Sequence, residues 1–557
     1  MSIEIQAAGD AAESPDRSGK WRCRLQAWFS SYSDLAVAMI VALGFLWRAW
    51  LAHATFFNPD EAWHFSAANQ DSLHHAYEAS LALFHPPLLI FLLYFWRTLG
   101  TSDLVLRLPC VAAGAVFCWF CYKWLKSIFG QTVAWVGLLL VTFLPTSIAL
   151  SADLRQYPFM LMFSAAAGYF LERALAKNSA SVMLLSSACL LLAMLAHYSG
   201  FLVAASLGVY AILRMFTQPN SARVIATWSA AQIAGVALAW FLYDTQIAKL
   251  GAGSWGAQPL NRIADWYLPQ FYYHAEREHL LPFLFRGTFG VFRFQFGWVV
   301  IGHIATVLFF AGVVLILSHR SPPESLPANR LAGMLLLCPF ILNCIAVAAG
   351  LYPYGRTRHC IFLAMFGIAG VSVALTRIAK HRTGPALVLA ISTVILCQAF
   401  GTQPWRDMLP LADRRREHMD QALEFIRREV SPADVIYLNK ATELQVSHYL
   451  CEQKPVVLDR SAPGFESFRC NGIRVVSTFP NDDAVMPDTF SDKWKAMARV
   501  YGLKPGSKVW VIEGGWISGF AERLRDRFPE FADLEIHSFG RYLEIFRLTV
   551  GQLRPTP

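Results

Sequence analysis

The chain has 557 residues, 55% of them hydrophobic and 16% charged, with a mean hydropathy of +0.38. That is more apolar surface than a water-soluble core of this length can bury, which excludes an ordinary soluble enzyme and predicts a polytopic α-helical membrane protein. The net charge of +9 does not point to nucleic acid, because the lysines and arginines fall mostly in short breaks between apolar runs, where topology signals sit.

Residues 1–30 read as a polar, disordered cytoplasmic tail without the apolar core of a signal peptide. Apolar runs follow at about 34–54, 85–99, 104–122, 131–150, 157–175, 181–196, 200–216, 224–243, 298–318, 331–350, 358–378 and 384–400, most of them long enough for a spanning helix. The run at 85–99, roughly 15 residues after two prolines, is shorter than the roughly 17 a span needs. It is expected to be re-entrant or docked, which gives eleven crossings where twelve runs exist. Cys118 and Cys121 form a CxxC inside VFCWFCY, where small helix-packing residues are expected in place of a redox or metal pair.

Two external loops stand out, 55–84 and 244–297, the second dense in aromatic residues, Arg and His and expected to lie along the interface with short helices. Polar sequence takes over after residue 400. There VIYLN (435–439), PVVLD (455–459), IRVVSTF (473–479) and VWVIEG (509–514) predict buried strands, and a hairpin is predicted near 533–548. Residues 401–557 therefore read as a soluble α/β domain following a membrane domain at 31–400. With that domain outside the cytoplasm, the basic breaks at 380–382, 319–330, 214–223, 173–177 and 123–126 all fall inside, as the positive-inside rule asks. The same parity places SADLRQY (151–157), HYSG (197–200) and YGRTRH (354–359) outside.

FFNPDEAWH (56–64) holds Asp60 and Glu61 at the outer end of the first span, with His64 one turn on. Acids in a partly dry site have raised pKa values, and one of a pair can serve as a base toward an acceptor hydroxyl. The plainer alternative is a helix N-terminus with Asp60 as its cap and Glu61 favoured by the dipole. His85, before two prolines, can donate to a phosphate or substrate oxygen. Arg107 in RLP is either a ligand or a snorkelling side chain, and Asp153 and Arg155 in ADLRQYP, beside Tyr157, can simply pair with one another. His197 and Tyr198 in HYSG stand where two apolar runs break, which is tolerated inside protein or along a cavity. Arg356, Arg358 and His359 form a positive cluster on the outer face, against the topology bias, and guanidinium forks suit phosphate oxygens. No GxGxxG, Walker loop, HExxH or paired CxxC occurs in a usable context.

The set DEAWHF, HPPLL, LRLP, LRQYP, HYSG and YGRTRH, in this order over roughly residues 34–400, resembles the GT-C superfamily of integral membrane glycosyltransferases, and most closely its protein O-mannosyltransferase and aminoarabinose transferase branch. The mannosyltransferases have a similar acid pair followed by histidine and phenylalanine, here Asp60, Glu61, His64 and Phe65. The resemblance implies a polyprenyl-phosphate sugar donor, inverting transfer to a glycan, lipid or protein acceptor, and an active site on the extracytoplasmic side of what is expected to be a bacterial inner membrane. It assigns Asp60 as base and Glu61 as its partner or a substrate and metal contact. His64, His85, Arg107, Asp153, Arg155, Tyr157, His197, Tyr198, Arg356, Arg358 and His359 are then the candidate donor and substrate contacts. His85 stands where the aminoarabinose branch has lysine. A divalent metal beside the acids is compatible with the sequence and not required by it. The rival reading is a transporter or flippase for a lipid-linked or anionic solute with proton-coupled acids. Such folds repeat their motifs in each half, and no second DEAWH- or HPPL-like element occurs here.

Overall fold

The structure, a computed structural model, describes residues 33–551 apart from 82, 84, 250–267, 319–326, 402–413, 452–457, 479–486 and 515–518. In chain order α1 (Ser33–Ala54) leads to three shorter helices, α2 (Pro59–Ala68), α3 (Leu73–Leu81) and α4 (Leu88–Trp96). Next come α5 (Asp103–Phe129), α6 (Gln131–Phe143), α7 (Pro145–Ala152), α8 (Tyr157–Lys177), α9 (Ala180–Ala196), α10 (Gly200–Thr217) and α11 (Ala222–Thr245). The membrane part closes with α12 (Leu280–Phe296), α13 (Val299–Ser318), α14 (Pro327–Ala348), α15 (Ala364–Ile378) and α16 (Thr383–Phe400). Among the described residues nine helices are long and apolar enough to cross a membrane, and α6 with α7 adds a tenth if the bent pair is one span. The apolar helix α9 has 17 residues, at the lower limit for a span.

Proline causes the 53° bend between α6 and α7. Pro145 has no N–H for the carbonyl of Val141, so that oxygen needs another donor where water is scarce. Ser147 Oγ (2.6 Å) and Arg48 Nη2 (3.3 Å) supply it, and Arg48 Nη1 takes the Thr142 carbonyl at 3.0 Å. Burial varies widely along the bundle. Only 6% of the α11 window is buried inside the protein, against 89% for 358–378, so the YGRTRH segment opens the central helix and α11 a lipid-facing one.

The nine residues of α4 extend about 14 Å, less than half of a roughly 30 Å hydrocarbon layer. The 244–297 loop holds more than short helices: α12 is 17 residues long, with Phe283, Gly287, Val291 and Phe294 buried along one face. Cys118 and Cys121 are free and buried in α5.

Beyond α16, the C-terminal region runs α17 (Arg416–Glu429), β1 (Val435–Leu438), α18 (Lys440–Tyr449), β2 (Phe465–Cys470), β3 (Ile473–Thr478), α19 (Pro487–Val500), β4 (Lys508–Glu513), α20 (Phe520–Arg527), β5 (Ile536–Ser538) and β6 (Glu544–Thr549). The strands form one sheet in the order β2-β3-β1-β4-β6-β5, with β1 parallel to β3 and β4 at its centre and antiparallel pairs at both edges. All four residues of β1 are buried, as a central parallel strand requires. The β2–β3 hairpin turns on Asn471 and Gly472 at φ 50° and 86°, a two-residue turn of the kind whose twist matches paired strands. Of PVVLD, residues 455–457 lie outside the described residues, and Asp459 makes an isolated bridge to Ser467. A disulfide, Cys451–Cys470, ties the end of α18 to the end of β2.

This region is joined to the membrane part through α18 and the segment before α17. Gln445 Nε2 donates to the Phe57 carbonyl and Phe57 N–H to Tyr449 Oη, each at 2.7 Å, and His448 stacks on Phe57 at 4.6 Å. Asp103, at the start of α5, accepts from Tyr449 Oη at 2.9 Å and Arg416 Nη1 at 2.6 Å. Reporter fusions test the short helix. A reporter after residue 99 is expected outside and one after 126 inside, and 99 inside would make α4 a crossing.

Candidate active site

The local sequence builds α2 from a capping box. Asn58 Oδ1 accepts the Glu61 N–H at 3.0 Å, Glu61 Oε2 accepts the Asn58 N–H at 2.9 Å, and Pro59 occupies the first turn. The cap is therefore Asn58, not Asp60, because an N-cap side chain bonds two or three residues ahead and only Asn58 is so placed.

Asp60 and Glu61 are neighbours in sequence, but about 100° of helix rotation separates them and sends them to different places. Glu61 is fully buried. Its Oε1 accepts from Arg107 Nε and from the Leu154 N–H, both at 2.7 Å, and its Oε2 from Arg107 Nη2 and Arg414 Nη1, both at 2.8 Å. Arg107 spends its remaining donors on the carbonyls of Ala52, Thr55 and Phe56 at 2.7, 2.6 and 3.1 Å. It neither snorkels nor faces a ligand, since it is fully buried between α5 and the exit of α1. Asp153 joins the same network through Arg414 Nη2 at 2.8 Å and Asn58 Nδ2 at 3.3 Å, so its partner is Arg414 rather than Arg155.

Asp60 instead stays outside that network, with its side chain 23% exposed. Its Oδ2 pairs with Arg155 and, at 2.7 Å, with Arg358. Burial alone would raise this carboxyl, but Arg155 and Arg358 outweigh it and hold the pKa at about 2. Glu61 is likewise lowered against the pull of burial, by Arg107 and Arg414, whereas burial keeps Asp153 above the usual carboxylate range despite Arg414.

Four histidines from four chain segments surround Tyr157 beside that pair. Ring centroids separate His64 and His85 by 5.7 Å, His85 and His197 by 5.4 Å, and His197 and His359 by 6.0 Å. Tyr157 lies 5.0 Å from His197, 6.4 Å from His359 and 6.5 Å from His85, with the Arg155 guanidinium 5.6 Å over its ring. His64 Nδ1 donates to the Asp60 carbonyl at 2.6 Å, which fixes its tautomer and leaves Nε2 as a buried acceptor without a hydrogen-bond partner among the described residues. Burial, then the charge of Arg155, lowers His64 to about 4, His197 to about 3 and His85 well below its usual value. All three are neutral at physiological pH. Among the described residues no three His, Cys, Asp or Glu side chains are arranged to hold a metal ion.

Two expected contacts stand elsewhere. Tyr198 donates to Gln246 Oε1 at 3.0 Å, toward the end of α11. Arg356, only two residues from Arg358, lines a separate cavity of about 550 Å³ with Arg286, Arg293, Phe271, Phe283 and Phe289. Sequence reasoning missed Arg414. Its signal was the DRRRE run at 413–417, which reads as a solvated charge cluster until the fold buries its second residue.

Residues 84–245 match the family of dolichyl-phosphate-mannose-protein mannosyltransferases. The fold is similar to the crystal structure of ArnT from Cupriavidus metallidurans bound to undecaprenyl phosphate, with a TM-score of 0.51 at 12% sequence identity, covering 93% of this chain and 99% of that one. It is similar to the apo state of the same protein with a TM-score of 0.50 at 11% identity, covering 96% and 100%. No curated protein matches the chain in sequence. The family match over residues 84–245 and the shared architecture make the chain similar to integral membrane glycosyltransferases in part of its sequence and in its fold.

Two measurements probe this charge layout. Glu61→Gln leaves two buried guanidinium groups short of a counter-charge and is expected to cost about 3–5 kcal/mol of stability. Asp60→Asn, at the more exposed carboxylate, is expected to cost less, and thermal unfolding that ranked the two in reverse would contradict the assignment. For pH, a histidine whose folded pKa is depressed binds fewer protons folded than unfolded, so stability falls as pH drops below about 6.5. The depressed Asp60 contributes above about 3.9 and loses that contribution only toward 2, so it does not act in the same window. Between pH 7.5 and 5 the chain is expected to lose about 1–2 kcal/mol for each of His64 and His197, and His197→Asn should recover part of the loss. A flat unfolding curve over that range would show the histidines to be solvated.

Proposed function

We propose that the chain transfers a sugar from a polyprenyl-phosphate donor to a hydroxyl of an extracytoplasmic glycan, lipid or protein, with inversion and with Asp60 as base. The observation that carries this reading is the shared Asp60 carboxylate, held between Arg155 and Arg358 beside a cluster of four histidines and Tyr157. Forked guanidinium pairs are suited to phosphate oxygens, so an arriving lipid phosphate competes with Asp60 for both. A carboxyl near 2 is a poor base, and each cation drawn toward the phosphate lets it rise toward useful strength. The donor thus prepares the group that acts on the acceptor.

In the transfer the acceptor oxygen attacks the anomeric carbon and its proton passes to Asp60. The bond from that carbon to the phosphate oxygen breaks, and the electron pair leaves with polyprenyl phosphate, whose charge Arg155 and Arg358 offset. His64 Nε2 and His85 Nδ1, both buried without hydrogen-bond partners among the described residues, are polar groups available to sugar hydroxyls. Glu61 and Arg107 act by holding α2 rather than by touching substrate. Undecaprenyl phosphate, the ligand of the ArnT structure, is the natural probe. The extracytoplasmic assignment is supported by the Cys451–Cys470 disulfide, a bond favoured in oxidising compartments, in the region that packs on α2.

The test is turnover by the purified full chain, followed by mass spectrometry with undecaprenyl-phosphate sugars and an extracted envelope acceptor pool. Asp60→Asn is expected to lower transfer by about 10²–10⁴-fold while undecaprenyl phosphate still binds, and Arg358→Ala to weaken that binding. Retained turnover in Asp60→Asn would remove the base from the scheme.

A further inference from the structure

The reacting pair sits on two segments that are not covalent neighbours. Asp60 is on α2 next to Glu61, and Arg155 is on the α7–α8 connection two residues after Asp153. Arg414, from the segment that leads into α17, reaches both of those flanking acids with one guanidinium: Nη1 to Glu61 Oε2 and Nη2 to Asp153 Oδ1, each at 2.8 Å. Its own place is fixed by the Phe56 N–H donating to the Arg414 carbonyl at 2.9 Å and by Nη1 donating to the Phe56 carbonyl at 3.0 Å. The side chain is 1% exposed. A buried ion pair adds little net stability over well-packed apolar residues, so stability alone is a weak reason to place this one here. Geometry gives a better reason, because a rigid planar fork holds two carboxylates at a fixed spacing and orientation.

We infer that Arg414 is a positioning residue of the active site, setting Asp60 against Arg155 by clamping Glu61 and Asp153, so that the segment entering the C-terminal region completes the site. This rests on Asp60 and Arg155 being the reacting pair. Arg416, two residues on, supplies a control. It pairs with Asp103 at 2.6 Å, docking the same segment at the start of α5 without bonding to either flanking acid.

The experiment compares Arg414→Gln, Arg414→Lys and Arg416→Gln in the full chain in detergent by hydrogen–deuterium exchange and by undecaprenyl phosphate binding. In Arg414→Gln, peptides covering 56–66 and 151–157 are both expected to exchange about tenfold faster. Undecaprenyl phosphate is expected to bind about tenfold more weakly. Arg414→Lys restores the charge without the fork and is expected to keep both defects, whereas Arg416→Gln is expected to show neither. Unchanged exchange at either peptide, full recovery in Arg414→Lys, or the same pattern in Arg416→Gln would overturn the inference, the last reducing it to general docking. Should Arg414→Gln not fold, the Lys variant makes the same comparison. A wild-type chain that binds no undecaprenyl phosphate would instead remove the donor reading, and the exchange data alone would decide on Arg414.

Discussion

A carboxylate shut away from water must be met by cations or give up its charge, and Glu61 is met by two. Much of the outer face follows from that requirement. Arg107 brings α5 against the exit of α1, Arg414 brings in a segment more than 350 residues distant, and the Leu154 N–H brings in the connection after α7. The network is buried and densely bonded, with both oxygens of Glu61 taken by at least two donors each, so its geometry is narrow. Outside it stands the preceding residue, Asp60, turned about 100° away by helix rotation and paired with Arg155 and Arg358.

The division of charge around Asp60 has its own logic. Positive charge resides on arginines, which do not titrate in any physiological range. The imidazoles beside them are pushed to the neutral form by burial and by Arg155, so they can hydrogen-bond without adding charge. On the proposed reading, a site that must bind an anion and then release it gains from such fixed cations, and neutral histidines can address sugar hydroxyls without holding the phosphate too tightly. Asp60 in the donor-free chain then keeps the guanidinium groups paired, which lowers the cost of burying them.

How much of this was legible in the sequence depended on what carries the signal. The membrane architecture was plain, since apolar length is a direct consequence of hydrocarbon thickness. Most of the residues around this site were also marked, because polar side chains at the mouths of apolar runs are expensive enough to be conspicuous: Asp60, His85, Arg155, His197 and Arg358 all stood out this way. The split between Asp60 and Glu61 could not be read, because adjacent letters give no hint that one enters an arginine cage and the other stays outside it. The directions of Arg107 and Arg356 could not be read for the same reason, since position alone does not give the way a side chain turns. The strand β2 went unpredicted although Asn471-Gly472 before IRVVST is a strong turn signal, since FESFRC is too polar and short to attract attention. Arg414 needed the tertiary fold, because nothing within its own charged run separates the buried arginine from the exposed ones.

The separation of Arg356 from Arg358 has a backbone cause with a functional consequence. Gly355 sits at φ +135°, a region closed to side-chain-bearing residues, and a six-residue 3₁₀ turn, Arg358–Leu363, begins three residues later. The chain therefore turns between the two arginines, leaving Arg358 on Asp60 and Arg356 in the aromatic cavity. On the proposed reading, the turn at Gly355 gives Arg358 to the phosphate of the donor and withdraws Arg356 into the cavity it shares with Arg286 and Arg293, so that one short segment serves two separate cationic positions.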